Sequence, residues 1–587
     1  MPYVLGVSGL GQSQPYMRQS FPGLGERVYR LAQGADSAAA LVTEDGIVAA
    51  AAEERFVRRK GTGEFPRAAI EYVLDAAGIS PRDVSAVAHN FDFGRYQTYF
   101  ESEGAIEEYQ NVYAPEVIQR DLFAAFPRDL WSDDLKVIPV LHHQAHAASA
   151  LHCSGFDSAD VLVADGVGEF ESTSLYTGGP RGLRLRGQVG GLHSIGLVYG
   201  LVTMHLGFWM NFDEYKVMGL APYGDRRRLR SAFDTLVLRH DDGRYSTPLT
   251  YLNETPQERF TYQKSRDHLA SVLGPPREPG ASLDQHHLDI AAALQAVTEE
   301  TVVGFLAAHQ DEQSSENLCL AGGVALNCVV NQAIRKSGRY RRQFVQPAAG
   351  DDGTALGAAL AVVEEGTEAP RRRVRPRIGL PYLGPAFTSE RIQTAVERAG
   401  LRWRRLEVDD LVGEAAALLN DGKVVALFQG RMEYGPRALG NRSILADPRT
   451  VEMRDRINSM VKQREEFRPL APAVLVEYAK QCFEIDDPEE YLWMIETVDV
   501  REEWRSSLGA VTHVDGTARV QVVRHEDNEL YWRLIDAFRA VTGIPVLLNT
   551  SFNSRGEPIV CSPEDAVATF SRINIDAMVM GDLLVSR

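Results

Sequence analysis

The sequence predicts an α/β chain of two domains, and three observations carry that prediction. Short apolar runs alternate with helical segments along nearly the whole length. Near residue 365 a charged stretch rich in Gly and Pro interrupts the alternation and has no apolar period of its own. The chain has 587 residues, 44% of them hydrophobic, which is several times one typical domain and enough to bury more than one core.

The first region opens with apolar runs at Tyr3 to Val7, Ala38 to Val42 and Ile47 to Ala51. The last two are joined by Glu44-Asp45-Gly46, and an Asp-Gly step between apolar runs favours a tight hairpin, so an antiparallel meander is expected. A helix follows from about Pro66 to Ala77, with proline in the first turn, where its missing N–H costs nothing, and Gly78 at its end. Val84 to His89 reads as a further strand. The succession then recurs: a strand at Val161 to Ala164, a hairpin-like stretch from Ser172 to Leu185, a helix from about Leu288 to His309, a strand at Asn317 to Leu320, and helices after Gly323 and Gly353. Two such halves around a cleft are expected. Glu364 to Arg373 has the composition of an interdomain linker, and from about Leu383 a second alternating region runs on. The expected domains are 1–365 and 383–587, joined by 366–382.

Charge and cysteine usage narrow the function. A formal net charge of -18 repels phosphate backbones, so nucleic acid is not an expected partner. No apolar run of bilayer-spanning length and no leader pattern stand out, which points to a cytoplasmic protein with no membrane partner. The five cysteines are scattered and never spaced C-x-x-C, so neither a disulfide framework nor a cysteine zinc site is expected.

Leu141 to Ala150 sets His142 and His146 one helical turn apart among small residues, within reach of a single ion. Such a pair alone is as compatible with ordinary core histidines, and imidazoles suit Fe, Zn, Ni or Mn. Two further segments shift the balance. Val161 to Gly168 delivers Asp165 from a buried-type strand into a turn with Gly166 and Gly168, and Pro347 to Gly353 places Asp351 before a helix in the same manner. Between them, Gly322-Gly323 after a strand lets backbone approach a nucleotide closely.

The second region gathers three arginines, Arg431, Arg437 and Arg442, among glycines, followed by Lys462, Arg464 and Arg468. Guanidinium forks bind phosphate oxygens bidentately, and in so acidic a chain this concentration points to an anionic ligand. Ile544 to Asn553 reads as a buried strand ending in polar residues, the place where open α/β sheets present ligands.

HHQAHAASA, VADGVGE, YKVMGLAPYG, CLAGGVALNCVVNQ and QPAAGDDGTALGAAL, in this order, resemble the nodulation and antibiotic O-carbamoyltransferase family over nearly the whole chain. The resemblance implies an actin-like large domain, close to the tRNA threonylcarbamoyl transferase fold, and a smaller YrdC-like domain of the threonylcarbamoyl-adenylate synthase fold. It implies that His142, His146, Asp165 and Asp351 ligate one divalent ion, iron or zinc, that holds the phosphate of an adenylate. Gly322, Gly323 and Asn327 would touch the nucleoside, with Gly166 and Gly168 in the same nucleotide site and Lys216 facing the cleft. In the smaller domain Arg437, Arg442, Lys462, Arg468, Asn549 and Ser551 would hold carbamoyl phosphate and ATP, with His513 and Arg519 as neighbours.

The implied activity is ATP-dependent carbamoyl transfer. Carbamoyl phosphate and Mg-ATP would form carbamoyl-AMP, and the carbamoyl group would pass to a hydroxyl, less readily an amine, of a small natural product. The assembly state stays open, with a homodimer as the candidate. Relatives carry a His-Asp pair after the first strand; here the stretch reads Gly34-Ala35-Asp36. Gln12 to Arg30, with Tyr16, Arg18 and Arg27, looks like an insertion, and Gly61 stands where relatives place another histidine. The base toward the acceptor is therefore sought among Asp36, His193, Asp213 and the insertion. A tRNA-modifying transferase would need a basic surface. A hydrogenase-maturation enzyme would bring C-x-x-C pairs, and an actin-like ATPase switch would leave the arginine-rich region without a purpose.

Overall fold

The computed structural model describes residues 3–34, 36–365 and 380–587. The expected linker lies outside the described residues except for its last three positions. The chain divides into two compact units: Met1–Glu54 with Gly61–Arg377, and Ile378–Arg587 with Arg55–Lys60. Two contiguous segments were expected, yet these six residues of the first region belong to the second unit. Arg55 donates to the Gly435 carbonyl, and Arg58 donates to the carbonyls of Pro558 and Ile559.

The large unit contains the same five-stranded design twice. In the first sheet β1 (Tyr3–Ser8), β2 (Ala38–Thr43) and β3 (Gly46–Ala52) form the antiparallel meander that the Asp-Gly step predicts. On the other side of β1, β4 (Val84–His89) and β5 (Lys136–Pro139) add in parallel. The second sheet repeats this with β6 (Ala159–Ala164), β7 (Glu171–Gly179) and β8 (Gly182–Gly190) antiparallel, and β9 (Asn317–Ala321) and β10 (Arg342–Val345) parallel beside β6. The orders β3-β2-β1-β4-β5 and β8-β7-β6-β9-β10 correspond strand for strand, a duplicated topology of two like halves.

Two helices join the halves. The helix His142–Cys153 packs on β6 and β9, the helix Asp352–Glu365 packs on β1 and β2, and the two pack on each other. Small residues make the contact close. A Cβ on Gly357 would stand 1.8 Å from the Ala145 carbonyl oxygen, and one on Gly6 would stand 1.8 Å from that of Ala355. The facing strands are alanine-rich, with Ala38, Ala39, Ala40, Ala49, Ala50 and Ala51 fully buried. Helix axes and sheet can therefore approach closely, at the cost of tolerating almost no added volume.

The second unit is built on a mixed eight-stranded sheet. Its order is Arg402–Arg405, Leu583–Ser586, Ala577–Met580, Val425–Phe428, Arg442–Ala446, Val546–Ser551, Ala471–Leu475, Gln521–Val523. Alternate residues feed two apolar layers, one including Phe428, Phe552 and Phe570, the other including Leu427, Tyr531 and Phe538.

One helix departs from the sequence expectation. Gln285–Ala308 has the length and composition to cross a bilayer, with a mean hydropathy of 1.3, but 72% of its apolar window is buried inside the unit. Its apolarity is that of a core helix. The five cysteines are free thiols, all but Cys153 buried.

Because the helix pair has no room for a methyl group, Gly357→Ala is expected to destabilise the large unit by about 1–3 kcal/mol. Thermal unfolding followed by circular dichroism would register this as a lowered midpoint; an unchanged midpoint would mean that the contact relaxes freely.

Candidate functional site

The starts of these two helices meet the end of β6. His142 and His146 lie on one face of their helix, Asp165 directly follows β6, and Asp351 immediately precedes its helix. The four ligand atoms lie within 4.8 Å of one another. His142 Nε2 is 3.1 Å from Asp165 Oδ2 and 3.2 Å from His146 Nε2, and both imidazoles are 3.6 Å from Asp351 Oδ1. Both histidines are wholly buried.

Surrounding groups hold this arrangement. The Nδ1–H of His142 donates to the Asn90 carbonyl at 3.2 Å, leaving Nε2 as the lone-pair nitrogen of the neutral ring that faces the cluster. Phe91 stacks on the same ring at 4.4 Å. The carboxylate of Glu169 accepts the first N–H of the helix, that of His142, and also the Asp92 N–H. Asp165 is pinned at every polar atom: its N–H donates to Ser172, its carbonyl accepts from the Ser194 hydroxyl, and Oδ1 accepts from the Gly323 N–H at 2.7 Å. A Cβ on Gly196 would stand 2.5 Å from the Asp165 carbonyl oxygen, so that contact requires glycine.

The electrostatics follow from burial against charge. Burial alone would push the His142 pKa down, but the carboxylates of Asp351 and Asp165 outweigh it and hold it well above the ordinary histidine value. For His146 the same balance ends in a smaller rise. Burial would raise Asp165, yet hydrogen bonds from the two histidines carry it well below the usual carboxylate range. Burial pushes Glu169 up to about 7, against the pull of His142. Two imidazole nitrogens and two carboxylates converging in a buried site, with a second layer that sets the histidine tautomer, fit a divalent ion.

The glycines shape the loops around Asp165. Gly322 has φ of 90°, and a Cβ there would stand 2.3 Å from the Ala164 carbonyl oxygen; its neighbour Gly323 spends its N–H on Asp165. The pair lets the loop close on the end of β6. Asn327 likewise caps the helix Cys328–Lys336, accepting from Val329 and Val330, and donates to Gln295. Gly168 packs against the histidine helix, where a Cβ would stand 3.0 Å from His143, while Gly166 faces open space.

The candidates for the acceptor base separate. Lys216 pairs with Asp213 at 3.0 Å, and Asp213 also accepts the Trp209 N–H, so these two residues lock their own loop. His193 faces Thr247 and Tyr251. Asp36 is left-handed, with φ of 61°, in a half-buried turn. Three residues earlier, Gln33 donates to the carbonyls of Val167 and Gly168 at 3.2 and 2.8 Å, tying this turn to the Asp165 loop.

In the second unit the expected basic residues fall into two groups. Lys462 is buried and donates to the carbonyls of Ser551 and Asn553 and to both their side chains, at 2.5–3.2 Å. Burial, then the nearby charges of Arg464, Arg468 and Lys60, holds its pKa well below the usual lysine value. Arg468 pairs with Glu465 at 3.4 Å, and Ser551 donates to Asn553. Burial lowers His513 to about 4, beside Asp515 and Arg519. Arg437 is half-buried at the turn. Arg442 and Asn549, also of the expected set, make hydrogen bonds within the unit. Arg442 is wholly buried, stacks on Phe428 at 3.8 Å and donates to the carbonyls of Gln429, Gly430 and Pro385. Asn549 donates to Ala438 and Gln521. Both brace the loop through their side-chain donors.

Sequence reasoning passed over Asn90, Glu169, Gln33 and Lys60. Glu169 closes the VADGVGE segment and Asn90 directly follows β4, so strand-end position was the available signal for both. Nothing in the local pattern marks Gln33 or Lys60, whose partners lie 134 residues or more away in sequence.

Two family models match the chain: "Carbamoyltransferase N-terminus" over residues 31–360 and "Carbamoyltransferase C-terminus" over 416–587. An uncharacterised protein of Synechocystis is 40% identical, covering 94% of this chain and 95% of its own. Nodulation protein NolNO of Sinorhizobium fredii is 40% identical, covering 94% and 79%. The 3'-hydroxymethylcephem-O-carbamoyltransferase of Amycolatopsis lactamdurans is 36% identical, covering 64% and 65%.

Removing one carboxylate should release the histidines. In chelator-treated protein, Asp165→Asn is expected to lower the His142 pKa by about 1–3 pH units, as read from ring resonances by NMR. An unmoved titration would show that Asp165 does not govern the cluster.

Proposed function

The chain belongs to the carbamoyltransferase family and is a transferase enzyme, and from that premise we propose that it makes carbamoyl-AMP from carbamoyl phosphate and ATP and transfers the carbamoyl group to a hydroxyl of a small molecule. The observation that carries the proposal is the convergence of His142, His146, Asp165 and Asp351 at the starts of two packed helices.

Activation is assigned to the second unit, read as the YrdC-like half. Water cleaves carbamoyl phosphate to carbamate and inorganic phosphate; the carbamate oxygen then attacks the α-phosphorus of ATP, pyrophosphate leaves, and the resulting mixed anhydride gives the poorly electrophilic carbamate a good leaving group. Lys462, Arg464, Arg468 and Lys60 concentrate positive charge in a half-buried place, where it binds phosphate oxygens more strongly than in water. Mg²⁺ accompanies the ATP. Arg437, Arg519, His513 and Ser551 are assigned to the same ligands.

Transfer is assigned to the large unit. A divalent ion, iron or zinc, held by the four side chains would neutralise charge on the adenylate phosphate as the leaving group departs. Asn90 and Glu169 keep His142 in register for that ion, and the loop at Gly166, facing open space, leaves room for the phosphate. Asp36, on the turn that Gln33 ties to the Asp165 loop, is assigned as the base that takes the acceptor hydroxyl proton. The acceptor oxygen then attacks the carbamoyl carbon, the C–O bond to AMP breaks, and AMP leaves. The acceptor class is a secondary metabolite, and the setting is the cytoplasm.

The test is pyrophosphate release, expected only with both ATP and carbamoyl phosphate; ADP formed from ATP alone would refute carbamoyl-AMP synthesis. Asp36→Asn is expected to slow carbamoyl transfer by about 10²–10⁴-fold while pyrophosphate formation continues, and full transfer activity in that variant would exclude Asp36 as the base. Metal loading carries a pH signature of defined sign. Because both histidine pKa values are raised, protons compete with the ion for these nitrogens at higher pH than they would at ordinary histidines. Zinc affinity should therefore fall as pH falls, and calorimetry in buffers of different ionisation enthalpy should show proton release on binding.

A further inference from the structure

The insertion Gln12 to Arg30 is built, and its built parts point at an ionic ligand. It folds as the helices Ser13–Ser20 and Glu26–Tyr29 around a small core of Met17, Tyr29 and Ala32, with Phe21 packed on Phe260 at 5.1 Å. From this base two guanidinium groups stand over one half-buried indole, Arg27 at 4.9 Å and Arg30 at 5.4 Å from the Trp209 ring, with Arg30 also 5.5 Å from Phe212. Stacking on an aromatic face leaves the N–H edges of a guanidinium free to fork onto an oxyanion.

Of the neighbouring carboxylates, Glu26 bonds Arg18 at 2.7 Å and pairs more loosely with Arg30 at 3.7 Å. Asp213 is taken by Lys216 and the Trp209 N–H, and Glu214 accepts the Asn211 N–H at 2.7 Å. Arg27 has no carboxylate partner among the described residues. Two like charges on one ring repel, and an anion between them relieves that repulsion.

The position bears on the transfer site. At most about 11 Å of chain separates Arg30 from Gln33, and Gln33 donates to Val167 and Gly168 in the loop that carries Asp165. Gly61 lets Phe212 close on the same region, since a Cβ there would stand 2.1 Å from the ring. We infer that Arg27 and Arg30 over Trp209 bind an oxyanion group of the acceptor, so that the acceptor is a hydroxyl-bearing small molecule carrying a carboxylate or phosphate. The inference rests on the carbamoyl-transfer reading.

Saturation-transfer NMR with glucuronate and glucose as matched probes tests it. The wild type should bind glucuronate and not glucose. Arg27→Gln/Arg30→Gln should weaken glucuronate binding at least tenfold, whereas Arg27→Lys/Arg30→Lys, which keeps the charge without the fork, should restore part of it. The thermal midpoint of each variant separates lost folding from lost binding. Equal binding of the two probes, binding of neither, or wild-type glucuronate affinity in the glutamine variant overturns the inference. Failure of the wild type to release pyrophosphate from ATP and carbamoyl phosphate strikes the transferase reading instead, and leaves the anion site to be judged by glucuronate binding alone.

Discussion

Two helices lie so close that a carbonyl of one, Ala145, occupies the place of a side chain on the other, at Gly357. That contact brings the first turns of both helices together, and there His142, His146 and Asp351 stand. Both N-termini carry unsatisfied N–H groups and the positive end of a helix dipole, so carboxylates gather there at low cost. Glu169 occupies the N-terminus of the histidine helix, and Asp165 arrives from β6 to complete the group.

The duplicated sheet explains why a metal-type cluster and a turn bearing a candidate base belong to one place. Each half ends its first strand, β1 or β6, on a loop that faces the helix pair. The β6 loop carries Asp165; the chain beyond β1 carries the insertion and then Asp36. Gln33 links the two loops directly. At Gly61 the Phe212 ring stands 2.1 Å from where a Cβ would be, so glycine is what lets that ring pack there.

The second unit concentrates charge differently. Its lysine is paired with neutral oxygens and faces other cations, so the site is short of negative charge by construction. Arg442 looked like part of the same cluster by composition but is a strut, its guanidinium closing a loop of carbonyls under Phe428. Composition registers that arginines are present; it does not register which way they turn.

From the chain alone one can read the alternation of strands and helices, the Asp-Gly hairpin, the helical spacing of His142 and His146, and the placement of Asp165 and Asp351 at the ends of apolar elements. These are legible because periodicity, turn chemistry and strand-end position act over a few residues. The meeting of those four side chains, the bond from the Gly323 N–H to Asp165, the inward turn of Arg442, and the transfer of Arg55–Lys60 to the other unit were decided only by tertiary structure. Each depends on partners far away in sequence, and a donor's role is set by which acceptor reaches it first, which no local pattern encodes.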